Sequence, residues 1–357
     1  MEVEIMNENL PSSANSHGAT YASAGVDIEA GNELVRRIKT HAARTKIPGV
    51  LGGLGGFGSL FQPDLSGLKE PVIVSATDGV GTKLKLAFAL DKHDTVGIDL
   101  VAMCANDLLC GGAKPLFFLD YFATGKLSPD VAEQVVKGIA DGCVQAGCAL
   151  VGGETAELPG MYADGEYDLA GFCVGIVDKA KIIDGSKVQV GDIVLGLPSS
   201  GLHSNGYSLA RKLLDGQLST RSGELGATVG ESLLTPTQIY VKPVLSILEK
   251  VQVKAMAHVT GGGFYENIPR VLSPNTKALI RRESWPQLPI FGLLQQTGNM
   301  AEREMFTTFN MGIGLVLVVS PNDETAVREA LIEYSMSVYT LGEITATTDD
   351  SHVELVD

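Results

Sequence analysis

Acidic residues beside glycines follow apolar runs in this chain, and such residues could hold a metal ion together with phosphate groups. The first case is residues 72–83, where a β-branched run leads to Asp78 between small residues and glycines. Gly79 and Gly81 would let backbone amides approach an anion, Asp78 could hold a divalent cation, and Lys83 would supply a mobile positive charge. The order of residues differs from a Walker A loop. Because Asp-Gly is also an ordinary turn pair, this stretch alone leaves both interpretations open.

Three other segments place glycines beside acids or apolar side chains. Residues 152–160 carry Glu154 and Glu157 and predict a second strand-to-loop transition rich in glycine and acids. Residues 261–263 are three glycines at a predicted helix start, where free N–H groups and the helix dipole would suit a phosphate. A tight connection without ligand is the alternative there. Residues 51–61 alternate glycines with large apolar residues, which is typical of a bulged hairpin or of a nucleotide-contacting loop.

A largely apolar helix predicted at residues 97–110 carries Asp99, Asn106 and Asp107. Asp99 and Asp107 are eight residues apart, roughly two turns, so they lie close to one face. Polar groups in an apolar helix are costly unless they are capped, exposed or bound to a partner. Exposure to solvent is one explanation, and contact with a ligand is the one we favour.

These acids favour magnesium chemistry. Hard oxygen ligands without a Cys-His cluster are typical of Mg²⁺ sites rather than zinc sites. Lys39 and Lys83 are candidates to neutralise phosphate charge, and phosphoryl transfer requires chiefly positioning, a metal and positive charge. The residues therefore predict an enzyme that consumes ATP, but they leave its second substrate open.

Composition limits the classes of partner. The length of 357 residues predicts two domains. A formal net charge of −15 argues against a nucleic-acid partner, because phosphate-backbone binding needs a basic surface. No apolar run approaches the roughly 20 residues of a membrane span. Residues 1–24 lack a basic start and an apolar segment, so they predict a disordered arm and no targeting signal.

The cysteines indicate a reducing compartment. None of the five belongs to a Cys-x-x-Cys motif, and all lie in apolar or glycine-rich surroundings: Cys104, Cys110, Cys143, Cys148 and Cys173. This pattern predicts reduced, buried thiols and a cytoplasmic protein.

Strand and helix patterns alternate in both halves, which predicts an α/β fold with a boundary near residues 178–192. In the first half the predicted helices are 27–39 and 131–146, in addition to the helix at 97–110, and residues 82–90 predict a short helix or an extended edge. The predicted strands there are 116–122, 148–151 and 167–177. In the second half the predicted strands are 192–197, 255–260 and a strand ending at 319. The predicted helices there are one ending at 214, 236–251 and 322–335, and residues 216–230 are expected to form a surface insertion.

From residue 25 to its end, the chain resembles the phosphoribosylformylglycinamidine cyclo-ligase family, also called aminoimidazole ribonucleotide (AIR) synthetases. The resemblance rests on long blocks at residues 52–61, 75–83, 97–107, 115–127, 151–162, 170–175, 199–208, 258–272 and 309–314. The Gly-Gly-Glu-Thr-Ala-Glu block at 152–157 and the Leu-His-Ser-Asn-Gly block at 202–206 separate this family from relatives that make selenophosphate, thiamine diphosphate or hydrogenase cofactors.

The resemblance implies a fold, a reaction and partners. An N-terminal domain, residues 25–178, would bind ATP and pair its sheet with that of a second subunit into a β-barrel, giving a homodimer. Residues 179–357 would form an α+β domain. The implied reaction is the ATP- and Mg²⁺-dependent closure of formylglycinamidine ribonucleotide to aminoimidazole ribonucleotide, with release of ADP and phosphate.

The resemblance also implies roles for individual residues. Asp78 and Asp107 would bind the metal, and the catalytic set would be Asp107, His203, Lys39 and Lys83. Contacts to ATP and phosphate would come from Gly55, Gly56, Gly58, Thr77, Gly79, Gly81, Thr82, Glu154, Thr155, Ser204, Asn205, Thr260, Gly261, Gly262 and Gly263.

Two departures from the family pattern put single roles in doubt. Tyr21 is followed by Ala22 and Ser23, where the family often has a lysine that would cover the nucleotide. His258 stands where selenophosphate-making relatives tend to have an aspartate, so no metal ligand is expected from that strand. The alternatives are another ATP-dependent kinase or ligase of the superfamily, or a catalytically silent nucleotide-binding protein. The presence of Asp78, Asp107 and His203 argues against the silent protein, and the blocks that carry Glu154 and His203 argue against another enzyme of the superfamily.

Overall fold

Two large β-sheets and a separate two-stranded sheet of Arg221–Ser222 and Ala227–Thr228 are present in the computed structural model, which describes residues 21–348 and 351–357. The expected disordered arm at residues 1–24 lies almost wholly outside these residues. The strands are β1 Pro71–Gly79, β2 Lys114–Thr124, β3 Ala149–Glu157, β4 Tyr167–Asp178, β5 Ile193–Pro198, β6 Arg221–Ser222, β7 Ala227–Thr228, β8 Ala255–His258, β9 Thr276–Arg281, β10 Ile313–Val319, β11 Tyr339–Ala346 and β12 Val353–Val356. The helices are α1 Ile28–Ala43, α2 Leu84–Leu90, α3 Val96–Cys110, α4 Pro129–Ala146, α5 Tyr207–Leu213, α6 Val229–Leu233, α7 Val241–Leu248, α8 Gly263–Asn267, α9 Pro289–Gly298, α10 Glu302–Thr308 and α11 Glu324–Leu331.

The first sheet has the strand order β1-β4-β2-β3. The β2–β3 pair is parallel and is joined through α4, whereas β4 runs antiparallel to both of its neighbours. One face packs against buried side chains of α3, since a side chain on Gly171 of β4 would meet Leu100 and Cys104. On the opposite face, Ile73 remains 60% exposed and Phe172 43% exposed. We call this second surface the open face.

The second sheet has the strand order β12-β9-β11-β5-β10-β8. Every residue of β10 is buried, as expected for a run of seven apolar or glycine residues in the middle of a sheet. The sequence patterns predicted β5, β8 and β10. They did not indicate α9, α10, β9, β11 or β12.

Local signals explain why α1 and α4 begin and end where they do. The Asp27 side chain accepts a hydrogen bond from Ala30 N–H and so caps α1. Helix α4 starts with Pro129 at its first turn and ends at Gly147, whose φ of +71° is the left-handed conformation that favours glycine. The helices predicted at 27–39 and 131–146 are confirmed, with the first one turn longer.

Helices α3 and α4 pack with their backbones in near contact. A Cβ on Gly97 would lie 2.3 Å from both the backbone nitrogen of Ile139 and the carbonyl oxygen of Val135. A Cβ on Gly138 would lie 2.7 Å from the carbonyl oxygen of Asp94. These two glycines are therefore required for the close approach of the helices, because no side chain fits.

Three predicted elements differ from the structure. Residues 152–157, predicted as a loop, are part of β3, because β2 pairs with them throughout. Asp78 and Gly79 likewise belong to β1 rather than to a bare loop, paired with Gly171 and Ala170. The helix predicted at 236–251 begins only at Val241. Residues 236–240 are instead held by side chains of α3, as described below.

The cysteines carry free thiols, as predicted, and Cys104, Cys143, Cys148 and Cys173 are buried. In the described ranges, no helix combines the length and apolar character needed to cross a bilayer.

Candidate active site

The end of β1 presents Asp78 to the space between the two sheets. Its side chain is half-buried, and one carboxylate oxygen accepts a 2.7 Å hydrogen bond from Gly79 N–H. Because side chains alternate along a strand, Asp78 points toward α3, while its neighbour Thr77 points to the open face. The side chains of Thr77 and Asp78 therefore lie on opposite faces of the sheet, contrary to the expectation that both serve one site.

Asp107 is the single exposed residue of α3, with 45% of its side chain accessible. Its Oδ1 lies 2.7 Å from Nδ1 of His258, at the end of β8. The adjacent Asn106 is buried and binds the residues just before α7. Its side chain accepts a hydrogen bond from Tyr240 N–H at 3.0 Å and donates one to the Gln238 carbonyl at 2.9 Å. Of these two adjacent residues of α3, Asp107 is therefore exposed to solvent, whereas Asn106 binds the second half of the chain.

The charges around Asp78 favour a cation at this position. Burial raises the pKa of Asp78 above its usual value, and the carboxylate of Asp107 raises it as well, while the hydrogen bond from Gly79 and the proximity of His258 lower it. The carboxylates of Asp78 and Asp107 repel each other and are partly accessible to solvent, so a divalent cation bound between them would relieve the repulsion. Within the described ranges no group of three acids, histidines or cysteines forms a full cage. Mg²⁺ commonly uses one or two carboxylates plus substrate phosphates, so the pair fits that ion.

Glycine-rich backbone from the second half borders the same space. Residues 260–263 follow β8, and Asn267 donates to the carbonyls of Thr260, Gly261 and Gly263, which fixes this turn. Gly261 is exposed, and a Cβ there would lie 3.4 Å from Oδ1 of Asn205. Helix α8, which follows, has only five residues, so its dipole is weaker than the sequence suggested.

The residues on this side form one group, which we call the β1 cluster. Thr82 joins it through a 3.1 Å contact between its hydroxyl and that of Ser208, next to the segment that carries Asn205. Its members are Asp78, Gly79, Gly81, Thr82, Asp107, Ser204, Asn205, Thr260, Gly261, Gly262 and Gly263.

A second group lies at the other edge of the first sheet. Lys39 of α1 lines a cavity of about 490 Å³ together with Lys46, with Gly52, Gly53, Gly56 and Gly58 of the glycine-rich loop, and with residues 149–151 of β3. The loop is fastened to the sheet by a 2.6 Å hydrogen bond from the Ser59 hydroxyl to the Val151 carbonyl. We call Lys39, Gly55, Gly56, Gly58, Glu154 and Thr155 the β3 cluster. The structure brings Lys39 to the glycines, as expected.

The two clusters are far apart within one chain. Strands β1 and β3 are the outer strands of the first sheet, separated by β4 and β2. With strands about 4.8 Å apart, three steps correspond to about 14 Å. A single chain therefore does not bring the glycine-rich loop and Lys39 beside Asp78 and Asp107.

Lys83 does not provide the mobile charge that the sequence predicted. Its side chain is fully buried, and its ammonium group donates to Asp99 Oδ1 at 2.9 Å, to the His203 carbonyl at 2.9 Å and to the Thr235 carbonyl at 2.8 Å. An ammonium has three hydrogens, so all are used within the protein. The prediction that Lys83 neutralises phosphate is wrong for this conformation, because burial against Asp99 removes it from the site.

His203 is also buried rather than presented to a ligand. Its Nε2 accepts from Ser200 N–H at 3.3 Å and from Gln238 N–H at 3.5 Å, so the ring is held by the chain itself. Burial lowers the pKa of His203 well below its usual value, and the charges of His258 and Lys83 lower it further. The ring is therefore neutral at physiological pH. It differs from the expected ligand-facing histidine because residues 235–240 cover it.

Sequence reasoning missed Asp120 in the middle of β2. Its side chain is 9% exposed, and its Oδ1 would lie 2.3 Å from a Cβ on Gly153. Burial raises the pKa of Asp120 to about 7, although its own backbone amide opposes the shift. A lone acid inside the apolar strand predicted at 116–122 was the signal that could have identified it.

Two family descriptions match the chain, one for each half. "AIR synthase related protein, N-terminal domain" matches residues 67–177, and "AIR synthase related protein, C-terminal domain" matches residues 189–354.

The chain is also similar along most of its length to proteins named phosphoribosylformylglycinamidine cyclo-ligase. The protein of Brevibacillus brevis is 58% identical over 330 residues, which cover 91% of this chain and 95% of that protein. The protein of Nitrosococcus oceani is 55% identical over 344 residues, which cover 96% of each.

Solved structures share the fold at low sequence identity. Thiamine-monophosphate kinase from Stenotrophomonas maltophilia superposes with a TM-score of 0.63 at 19% identity, covering 90% of this chain and 95% of that one. The hydrogenase maturation protein HypE in complex with ATP gives a TM-score of 0.64 at 15% identity, covering 90% of each chain. At these identities the likeness concerns the fold alone.

Proposed function

The chain belongs to the AIR synthase family, and we propose that it is a phosphoribosylformylglycinamidine cyclo-ligase of purine biosynthesis. One observation carries the proposal, namely 58% identity to a protein of that name over 91% of this chain and 95% of the relative. The family descriptions that match both halves of the chain support the same activity.

The proposed reaction forms a C–N bond with the help of ATP. The formyl oxygen of formylglycinamidine ribonucleotide attacks the γ-phosphorus of ATP, and ADP leaves. The amidine nitrogen then attacks the formyl carbon, the bond from that carbon to the phosphorylated oxygen breaks, and phosphate departs. Loss of a proton from nitrogen leaves aminoimidazole ribonucleotide. Such a phosphoryl transfer needs positioning and charge stabilisation more than covalent chemistry from the protein.

We assign the charge-bearing steps to the β1 cluster. Asp78 and Asp107 would hold Mg²⁺, which when bound supplies positive charge to the transferring phosphoryl group. The backbone of Gly79, Gly81 and residues 260–263 would lie against phosphate oxygens, because glycines allow close approach. The N–H groups of Gly79 and Gly263 are already bonded to Asp78 and Thr260, so the amides of Gly81, Gly261 and Gly262 would be the donors. Thr82, Ser204 and Asn205 would orient the ligand through their polar side chains. Lys83 and His203 are buried, so we assign them no contact with the ligand. They would contribute to the reaction by holding the loop at residues 199–208 in place.

ATP contacts are assigned to the β3 cluster as well. Lys39 and the loop containing Gly55, Gly56 and Gly58 offer a cation and bare backbone beside a cavity of about 490 Å³. Glu154 and Thr155 lie on the same strand as the cavity wall. Because this cluster is at the opposite edge of the sheet from Asp78, we propose that the β3 cluster that completes a nucleotide site comes from a second copy of the chain.

A homodimer formed through the open face would meet that requirement. Ile73, Ser75 and Thr77 of β1 face the same side as Val174 and Phe172 of β4 and leave apolar surface exposed. Pairing of two such sheets into a barrel would cover this surface and could bring the β3 cluster of one copy to the β1 cluster of the other. The domain boundary near residue 178 and a cytoplasmic location belong to the same proposal, the latter because the five thiols are free.

ADP release by the purified protein tests the proposal. We expect ADP and a primary aromatic amine to form in equal amounts when formylglycinamidine ribonucleotide, ATP and Mg²⁺ are all present. ADP formation that does not depend on this substrate would favour another ATP-dependent enzyme of the superfamily, since such enzymes share the fold. Nucleotide binding without any turnover would favour a catalytically silent protein.

A further inference from the structure

A buried ion pair lies where the two halves of the chain meet. Lys83, just after β1, and Asp99 of α3 approach to 2.9 Å with no exposed side-chain surface on either. Burial lowers the pKa of Lys83, and the charge of Asp99 opposes that shift. Replacing such a pair by apolar residues is often neutral or stabilising, so its presence calls for a reason other than stability.

Both partners also bind two segments of the second half. Lys83 Nζ donates to the carbonyls of His203 and Thr235. Asp99 Oδ1 accepts from Thr237 N–H at 2.7 Å, from the Thr237 hydroxyl at 2.6 Å and from the Ser204 hydroxyl at 3.2 Å. One ion pair of the first half thus fixes the segments around residues 203–204 and 235–237.

The first of these segments is in an unfavourable conformation. His203 has a φ of +63°, a left-handed backbone conformation that is unfavourable for a residue other than glycine. Such a conformation persists only when the surroundings hold it. Here the ring is held by Ser200 and Gln238, and the carbonyl is held by Lys83.

The same region contains unpaired buried atoms. Asp99 Oδ2, His203 Nδ1 and Asn205 Nδ2 have no hydrogen-bond partner among the described residues, where only two other buried side-chain atoms share that state. Unsatisfied buried polar groups are costly and uncommon, so their concentration here indicates a site maintained for function rather than for stability.

We infer that Lys83 and Asp99 are positioning residues, which hold the loop at residues 199–208 so that Ser204 and Asn205 lie at the β1 cluster. They act on the reaction through this loop and touch neither substrate. The inference rests on the proposed function for the chemistry, but the anchoring of the loop can be measured without any turnover.

The test compares Lys83→Met, Asp99→Leu and the double variant with the wild-type protein. Hydrogen–deuterium exchange of peptides covering 199–208 and 235–240 reports anchoring, and steady-state kinetics report kcat and the KM for ATP. In the single variants we expect reduced thermal stability, because a buried charge is left unpaired. In the double variant we expect stability to return toward that of the wild type, exchange of both segments to rise at least tenfold, kcat to fall at least tenfold, and the KM for ATP to stay within twofold.

Lys254→Met is the matched control. Lys254 pairs with Asp192 at 2.6 Å, with side chains only 11% and 5% exposed, and neither residue belongs to a proposed cluster. This variant should lose stability without faster exchange at 199–208 and without a change in kcat. A similar rise in loop exchange in the control would overturn the inference, since the effect would then follow from any loss of stability.

Other outcomes separate this inference from the proposed function. A double variant with wild-type loop exchange and kcat would overturn the positioning role, as would a raised KM for ATP at unchanged kcat, which would mean that Lys83 contacts the nucleotide. If the wild-type protein releases no ADP, the proposed function fails, while the exchange experiment still decides whether the ion pair anchors the loop. Should the double variant not fold, Thr237→Val, which removes the 2.6 Å hydroxyl contact to Asp99 and leaves the ion pair in place, must show faster exchange of 235–240, and unchanged exchange would refute the inference.

Discussion

Nδ1 of His258 lies 2.7 Å from Oδ1 of Asp107, so a strand of the second sheet contacts the only exposed residue of α3. The contact sets the orientation of one carboxylate oxygen and leaves the other free for a ligand. A proposed metal ligand of the first half is therefore oriented by the second half, which couples the relative position of the two halves to the geometry of the site.

Replacing Asp107 by Asn should abolish substrate-dependent ADP release and leave the fold intact. The amide keeps the shape of the side chain but removes the negative charge that would bind Mg²⁺, and loss of such an electrostatic contribution lowers kcat by about a hundredfold or more. Turnover and the thermal unfolding midpoint should be measured together. Glu329→Gln, at an exposed position of α11, is the control and should behave as the wild type. Unchanged turnover in Asp107→Asn would contradict the metal assignment.

Mixing two impaired variants tests whether two copies share each site. Lys39→Met should raise the KM for ATP by about tenfold or more, because it removes a cation from the nucleotide cavity. If Lys39 of one copy serves Asp107 of the other, unfolding and refolding Lys39→Met with Asp107→Asn as a mixture would create dimers with one intact site. The mixture should then recover up to about a quarter of wild-type activity at low ATP, since half of randomly assembled dimers are mixed.

The mixing experiment also distinguishes sites shared between copies from sites built by one chain. Each variant refolded alone serves as the control: Asp107→Asn should show no turnover, and Lys39→Met should show about a tenth of wild-type activity at low ATP, because its KM is raised about tenfold. If both clusters of a site came from one chain, every site in a mixed dimer would carry one lesion, and the mixture would not exceed the activity of Lys39→Met alone.

The open face should control association. Phe172→Glu would place a charge in the centre of the surface that we propose to pair, so we expect a monomer by sedimentation velocity and little activity. Ile332→Glu is the matched control, because Ile332 is 72% exposed in the second half of the chain and lies outside that face. A wild-type dimer that survives Phe172→Glu would show that the copies associate elsewhere.

Asp120 should make stability depend on pH. Its folded-state pKa of about 7 exceeds the ordinary value, so the folded protein retains a proton that the unfolded chain releases above about pH 4. Stability from this group is therefore greatest at low pH and is lost as pH rises toward 7, by up to about 4 kcal/mol.

Asp120→Asn should remove that dependence. Relative to the wild type, the variant should become progressively more stable between pH 4 and pH 8 in urea unfolding experiments with equal m values. Asp164→Asn, which removes a carboxylate at an exposed position, is the matched control. A pH-independent difference for Asp120→Asn would mean that the buried carboxyl is ionised throughout.

Local signals were sufficient to predict some elements. Helix α4 was predictable because Pro129 and Gly147 define its two ends and apolar residues repeat at helical spacing between them. The second half of β3 was not predictable in the same way. Gly152 and Gly153 suggest a loop when considered alone, and only pairing with β2 keeps them extended.

The residues of the candidate site also differ in whether local sequence was sufficient to predict them. Asp78 and Asp107 could be singled out from residue type and spacing, whereas the association of Lys39 with the glycine-rich loop was expected only from the family resemblance. Lys83 could not be assigned from its neighbours, because its partners Asp99 and Thr235 are 16 and 152 residues away in sequence. Whether a lysine meets solvent or a buried carboxylate depends on the tertiary fold, which residue type does not reveal.

The near contact of α3 and α4 has a consequence for mutational tolerance. Gly97 lies ten residues before Asp107 on α3, about 15 Å along the helix axis, and touches neither cluster. An added methyl group would nevertheless have to push α3 away from α4, and a rigid helix transmits such a tilt along its whole length to Asp99 and Asp107. Substitutions of Gly97 should therefore impair catalysis although the residue lies outside both clusters. Such a substitution would easily be mistaken for one that only lowers stability.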